Sequence, residues 1–134
     1  MTVPFLALAL VFLQVAQAEQ SLDDKIQRGK YLVERVAMCG ECHSPRDDKG
    51  KFIRAEWLQG EVINFQPSNS ATPWAPVAPG IAGLPTFKAD EQAVKFFETG
   101  TNNVGRLALP PMPQFRFNHE DAVAVTAYLR SLKK

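Results

Sequence analysis

Cys39-Gly40-Glu41-Cys42-His43 sets two thiols three positions apart, with an imidazole directly after the second. These residue types at this spacing match the attachment chemistry of a c-type haem. Each thiol can add to one vinyl group of the porphyrin, and His43 offers a ring nitrogen to the iron. The vinyl groups lie a fixed distance apart on one edge of a rigid ring, which two sulfurs one helical turn apart can span. The adjacent histidine then falls under the ring centre, so the motif is expected at the end of a helix. Two other chemistries use some of the same residues. A thioredoxin-type dithiol would expect a preceding buried strand in a βαβ frame, whereas the residues before Cys39 look helical. A closed zinc site would need both cysteines, His43 and the one other histidine, His119, or a carboxylate.

Iron that shuttles electrons without binding small molecules needs a second axial ligand. The chain has three methionines. Met1 belongs to the N-terminal apolar stretch, and Met38 is tied to the proximal side beside Cys39. Met112 remains, in Leu109-Pro110-Pro111-Met112-Pro113, where three prolines stiffen the backbone and can hold a thioether near the iron at little entropic cost. Soft sulfur favours Fe(II), so His/Met ligation raises the reduction potential relative to His/His. His119, in Asn118-His119-Glu120-Asp121, competes for this role but reads as a surface histidine in the first turn of a helix, beside acids. Without Met112 on the iron, the same motif would describe a haem with an open sixth position that binds small ligands or reduces peroxide.

These groups need helices to position them. Ser21 and Asp24 make a capping-box-like start, and Leu22, Ile26, Leu32, Val33 and Val36 keep one apolar face to about Ala37. Gly29 interrupts that helix at a cost of about 1 kcal/mol relative to alanine, which close approach of another helix would explain. Asp90 begins a segment that runs from Glu91 to about Thr99, ended by Gly100. The last helix starts near Asn118, with Asp121 three positions on, and carries Val123, Val125, Tyr128, Leu129 and Leu132 towards a basic end at Arg130, Lys133 and Lys134. Between His43 and Asp90 the chain is rich in proline and glycine and disfavours a long helix. A short strand pair is expected between Phe52-Ile53 and Val62-Ile63-Asn64-Phe65. Trp57 and Trp74 are candidates to line a haem crevice with indole N–H groups on a propionate, and Arg46 is a candidate propionate partner by charge.

Thr2 to Ala18 carries no charged side chain and ends in Ala16-Gln17-Ala18, which predicts a secretory leader over residues 1–18. The n-region lacks Lys and Arg, so a buried core helix and an uncleaved membrane anchor are the competing readings. Residues 19–134 make one domain of 116 residues, small enough that a buried haem would supply much of its core. Fifteen basic and fourteen acidic side chains give a net charge of +1 with no basic tract, which argues against nucleic acid as a partner. No Ser/His/Asp order, motif-like carboxylate pair or phosphate loop is present, so no catalytic residue is assigned. Lys49, Lys51 and Lys88 are candidates to ring an exposed haem edge and steer an acidic partner.

Taken together, Gly29-Lys30-Tyr31-Leu32-Val33, the Cys39 to His43 motif, Ser44-Pro45-Arg46-Asp47 and Leu109-Pro110-Pro111-Met112-Pro113 resemble the class I cytochrome c domain. They are similar to bacterial cytochrome subunits of membrane-associated alcohol and aldehyde dehydrogenases. The resemblance covers most of residues 21 to 132. It implies an all-α cytochrome c fold, with three or more helices and long loops wrapped around one covalently attached haem c. It implies iron held by His43 and Met112, haem attached through Cys39 and Cys42, and a crossing of the first and last helices where Gly29 faces Tyr128. It also implies haem attachment outside the cytoplasmic membrane, hence a periplasmic or otherwise exported protein. The expected role is single-electron transfer between redox proteins such as a dehydrogenase or a terminal oxidase, with room for peripheral membrane association.

Overall fold

Gly29 shows how the two ends of the chain meet. In the computed structural model, which describes residues 22–132, helix α1 covers residues 22–31 and runs into a π-helical turn, Leu32–Val36. The leader expected over residues 1–18 lies outside the described residues. Helix α4, His119–Ser131, crosses α1 at Gly29, where a Cβ would overlap the Ala124 carbonyl and come within 2.8 Å of the Tyr128 Cβ. The glycine is therefore a close-approach residue, and Tyr128 is its aromatic neighbour. Around this crossing, Arg28 pairs with both carboxylate oxygens of Asp121, at 2.9 and 3.2 Å, and the Tyr128 hydroxyl donates to Glu34 Oε1 at 2.5 Å.

The first helix departs from the expected regular course to Ala37. Ala37 N–H bonds the Leu32 carbonyl at 2.7 Å, five residues back, so the turn is one residue wider than an α-turn. The extra residue shifts the phase of the apolar stripe. Leu32 and Val33 stay buried, while Val36, expected on the same face, is half exposed, as is Leu22.

Helix α2 is the single turn Gly40–His43, and helix α3, Asp90–Thr99, packs along α4. Asn118 caps α4 by accepting the Asp121 N–H at 2.8 Å, and Gly100 closes α3 with φ 71°. Asp90 lies already within α3, whose N-terminus is tied by the Gln92 side chain accepting the Lys88 N–H at 3.1 Å. Ala93, Val94 and Phe97 of α3 meet Ala122, Val125, Tyr128 and Leu129 of α4, and Leu32, Val33, Leu58 and Leu84 close the core.

The irregular middle contains a sheet that the sequence reading placed wrongly. Strand β1, Gly60–Val62, pairs antiparallel with β2, Val77–Pro79, in the register Val62 to Val77 and Gly60 to Pro79. Phe52 instead bridges Arg46 across a tight turn. Prolines in residues 73–79 suggested loop, but both strands of a two-stranded sheet are edges, where a missing N–H costs nothing if it faces outward. The architecture is thus helices around a core plus a small two-stranded sheet carried by long loops, rather than helices alone. Arg130 of α4 fastens one such loop: its guanidinium donates to the carbonyls of Gly83 (2.8 Å), Leu84 (3.2 Å) and Phe87 (2.9 Å) and to Asp90 Oδ1 (2.7 Å). Among the described residues, no helix is long and apolar enough to cross a membrane.

Candidate functional site

The π-turn delivers the cysteine motif. Met38 takes φ 48° in the left-handed region, which reverses the chain, and the Cys39 N–H reaches back to the Val33 carbonyl at 2.9 Å. Cys39 then starts α2, and the His43 N–H closes that turn on the Cys39 carbonyl at 3.0 Å. Cys39 and Cys42, one helical turn apart, therefore share a face. Both thiols are half-buried and unpaired. Gly40 sits under the six-membered ring of Trp57, which a Cβ would overlap. Ser44, fully buried behind the motif, accepts the Leu58 N–H at 2.8 Å and ties α2 to the loop that follows.

His43 is 5% exposed, and its Nδ1 lies 2.7 Å from the Pro79 carbonyl of β2. A carbonyl only accepts, so Nδ1 carries the proton and Nε2 keeps its lone pair. Burial favours the neutral imidazole further by lowering the His43 pKa. An imidazole whose second nitrogen is fixed on a backbone carbonyl has the arrangement of a metal-ligating histidine. Burial also pushes the Cys39 thiol up to about 11, the opposite of the lowered pKa that makes a reactive dithiol. For zinc, no group of three or more His, Cys, Asp or Glu converges among the described residues. The motif fits a covalently held haem: two unpaired thiols on one face of a turn and a neutral histidine of fixed tautomer after them.

Met112 arrives on a separate loop. Its N–H bonds the Leu109 carbonyl at 3.1 Å in a turn, and its side chain is half-buried. The Pro110 carbonyl accepts the Ala75 N–H at 2.7 Å, so the methionine loop is tied to the segment leading into β2. One short tract, residues 75–79, thus contacts both His43 and the Met112 loop.

Of the three side chains that are candidates for a haem propionate, Trp74 and Arg46 have polar partners, and the Trp57 indole N–H has none among the described residues. Trp57 covers Gly40, meets Phe52 edge-on at 5.2 Å between ring centres, and lies under Arg54; its buried indole N–H sits near the Tyr128 hydroxyl without closing a full hydrogen bond among the described residues. The Trp74 indole donates to the Phe65 carbonyl at 3.0 Å. Arg46 pairs with Glu41, donates to the Gly50 carbonyl and lies over the Phe52 ring at 3.8 Å. His119 is exposed as expected and pairs with Glu98 at 2.8 Å. Lys49, Lys51 and Lys88 are exposed. The sequence reading missed Pro79, Ala75 and Ser44: two act through backbone groups that no side-chain pattern reports, and serine after the motif reads as an ordinary loop residue.

The family model for cytochrome c matches residues 26–133, most of the chain. The chain belongs to the cytochrome c family. Over 119 residues it is 29% identical to the fructose dehydrogenase cytochrome subunit of Gluconobacter japonicus, a match that takes in 82% of this cytochrome but 22% of that relative. Over 42 residues it is 45% identical to a diheme cytochrome c-type protein of Cereibacter sphaeroides, covering 31% of this cytochrome and 14% of that protein. The cytochrome therefore spans less than a quarter of the length of each of these relatives. Membership implies a covalently bound haem c with iron and a role in electron transfer.

Proposed function

We propose that this cytochrome is an exported, monohaem single-electron carrier, with Cys39 and Cys42 as the haem attachment points and His43 and Met112 as the axial ligands. The observation that carries the reading is the His43 Nδ1 bond to the Pro79 carbonyl, which leaves Nε2 as a neutral donor beside two unpaired thiols. The haem, when bound, supplies the one-electron Fe(III)/Fe(II) couple. The chain's own part is to hold the ring by two sulfurs, keep His43 neutral and oriented, and present the Met112 thioether on a proline-stiffened loop. Fixed ligands limit the geometric change on electron transfer, and sulfur on one side raises the potential. One Cys-x-x-Cys-His motif supports one haem in this chain. No residue is proposed to do substrate chemistry; a relative that is the cytochrome subunit of fructose dehydrogenase supports a dehydrogenase as the redox partner. Attachment of haem c outside the cytoplasmic membrane, together with the apolar stretch before Ala18, supports a periplasmic location.

The test is an absorption spectrum of protein made in a host that attaches haem c, oxidised, reduced and with carbon monoxide. A low-spin spectrum with the weak far-red band of Fe(III)–thioether ligation, lost in Met112→Ala and insensitive to carbon monoxide in the parent, is the expected result. A high-spin or carbon-monoxide-binding iron would replace it with the open-site reading, in which the protein binds small ligands or reduces peroxide.

A further inference from the structure

The loop that carries Met112 is poorly held by its own surroundings. Among the described residues, the segment 109–116 makes one hydrogen bond to any other part of the chain, the 2.7 Å bond from the Ala75 N–H to the Pro110 carbonyl. Its remaining bonds are local: Met112 N–H to the Leu109 carbonyl, and Arg116 to the Phe115 carbonyl and the Gln114 side chain. The residue that donates to Pro110 is itself well fixed. Trp74, its neighbour, meets Phe65 edge-on at 5.7 Å and donates its indole N–H to the Phe65 carbonyl at 3.0 Å. One step on, the Pro76 carbonyl accepts the Ile63 N–H at 2.9 Å, and β2 then pairs with β1 down to Pro79, whose carbonyl holds His43.

We propose that the 60–79 hairpin is a brace for both axial ligands, in which the Trp74–Phe65 lock sets Ala75 so that it anchors the Met112 loop, while Pro79 at the other end orients His43. The inference rests on Met112 being the sixth ligand and adds the residues that position it. Trp74 and Phe65 are positioning residues here, acting through the backbone of Ala75. Their consequence is quantitative. An added ligand such as imidazole reaches the iron only in the fraction of molecules whose methionine loop has swung away, so its apparent affinity reports that fraction. An aromatic edge contact and one hydrogen bond together correspond to roughly tenfold in an equilibrium constant.

The experiment is imidazole titration of the oxidised, haem-loaded protein and of its Trp74→Ala and Phe65→Ala variants, with the far-red thioether band and the hydrogen exchange of the Ala75 amide followed in each. Phe65 is half exposed, so its truncation decides the matter if Trp74→Ala does not assemble. The expected result is imidazole binding about tenfold tighter in either variant, a weakened far-red band, and faster exchange at Ala75, with haem attachment retained. If the parent shows the band and both variants bind imidazole within twofold of it, the brace is wrong while Met112 ligation stands. If the parent lacks the band, Met112 is not the ligand and both fall.

Discussion

The helical layer and the loop layer of this cytochrome are held by different forces. In the first, α3 and α4 bury Ala93, Val94, Phe97, Ala122, Val125 and Leu129 against Leu32 and Val33, and Gly29 lets α1 touch the α4 backbone. Stability there comes from apolar area and close packing, which depend on side-chain size. In the second, from Ser44 to Phe87 and from Thr101 to Phe117, Leu58 and Leu84 join the core, and the stretches between them are tied by single hydrogen bonds: Ser44 to Leu58, Ala75 to Pro110, Pro79 to His43, and Arg130 to three carbonyls. The difference teaches where each job is done. The helical layer sets whether the protein folds, and the loop layer sets how the candidate ligands are presented.

Mutations can break that division. The largest effect is expected from Gly29→Val, because the added side chain must displace the Ala124 backbone; overpacking of this kind costs about 3 kcal/mol, with the haem spectrum of the surviving folded fraction unchanged. Thermal unfolding of the haem-loaded protein checks it, and a shifted far-red band would show that the two layers are not separable.

Arg130→Ala comes next. It removes one link between the layers and leaves three carbonyls without their donor, for a loss of about 2 kcal/mol. Denaturant unfolding measures the loss, and hydrogen exchange should localise it to residues 83–87. Ser44→Ala leaves the buried Leu58 N–H unpaired and should cost on the order of 1–2 kcal/mol, again by denaturant unfolding. An unchanged stability would mean that the loop after the motif is held by packing on Leu58 instead.

The smallest effect is a matter of pH. Burial, then the bond to Glu34, pushes the Tyr128 hydroxyl up to about 12 from an ordinary value near 10. Because the folded pKa is the higher, this group's contribution is fully present below pH about 10 and is lost as pH rises through about 12. Tyr128→Phe should flatten the fall in stability over that window. An identical profile would assign the alkaline loss to other groups.

Part of this protein was legible in its sequence. Cys39, Cys42 and His43 stand out as haem-site candidates because covalent attachment fixes both residue type and spacing, and the crossing at Gly29 and Tyr128, implied by the resemblance to cytochrome c, is present in the structure. The ends of α3 and α4 followed from Gly100 and Asn118, whose backbone and side-chain preferences act locally. The strand reading failed for a physical reason. Pairing Phe52 with Val62 missed Val77 because strand partners are chosen by chain geometry over long separations. Sequence also cannot show that the Trp57 ring covers Gly40, that the Trp74 indole donates to the Phe65 carbonyl, or that Arg46 pairs with Glu41.

What the sequence determined by itself is the set of groups proposed to hold the haem: two thiols, an imidazole and a thioether, each defined by covalent chemistry that no fold alters. What only the tertiary structure decided is their state and support. The tautomer of His43 depends on a carbonyl 36 residues away, and the anchorage of the Met112 loop depends on the amide of Ala75. Both partners are backbone groups, which every residue carries, so only folding selects which of them arrives.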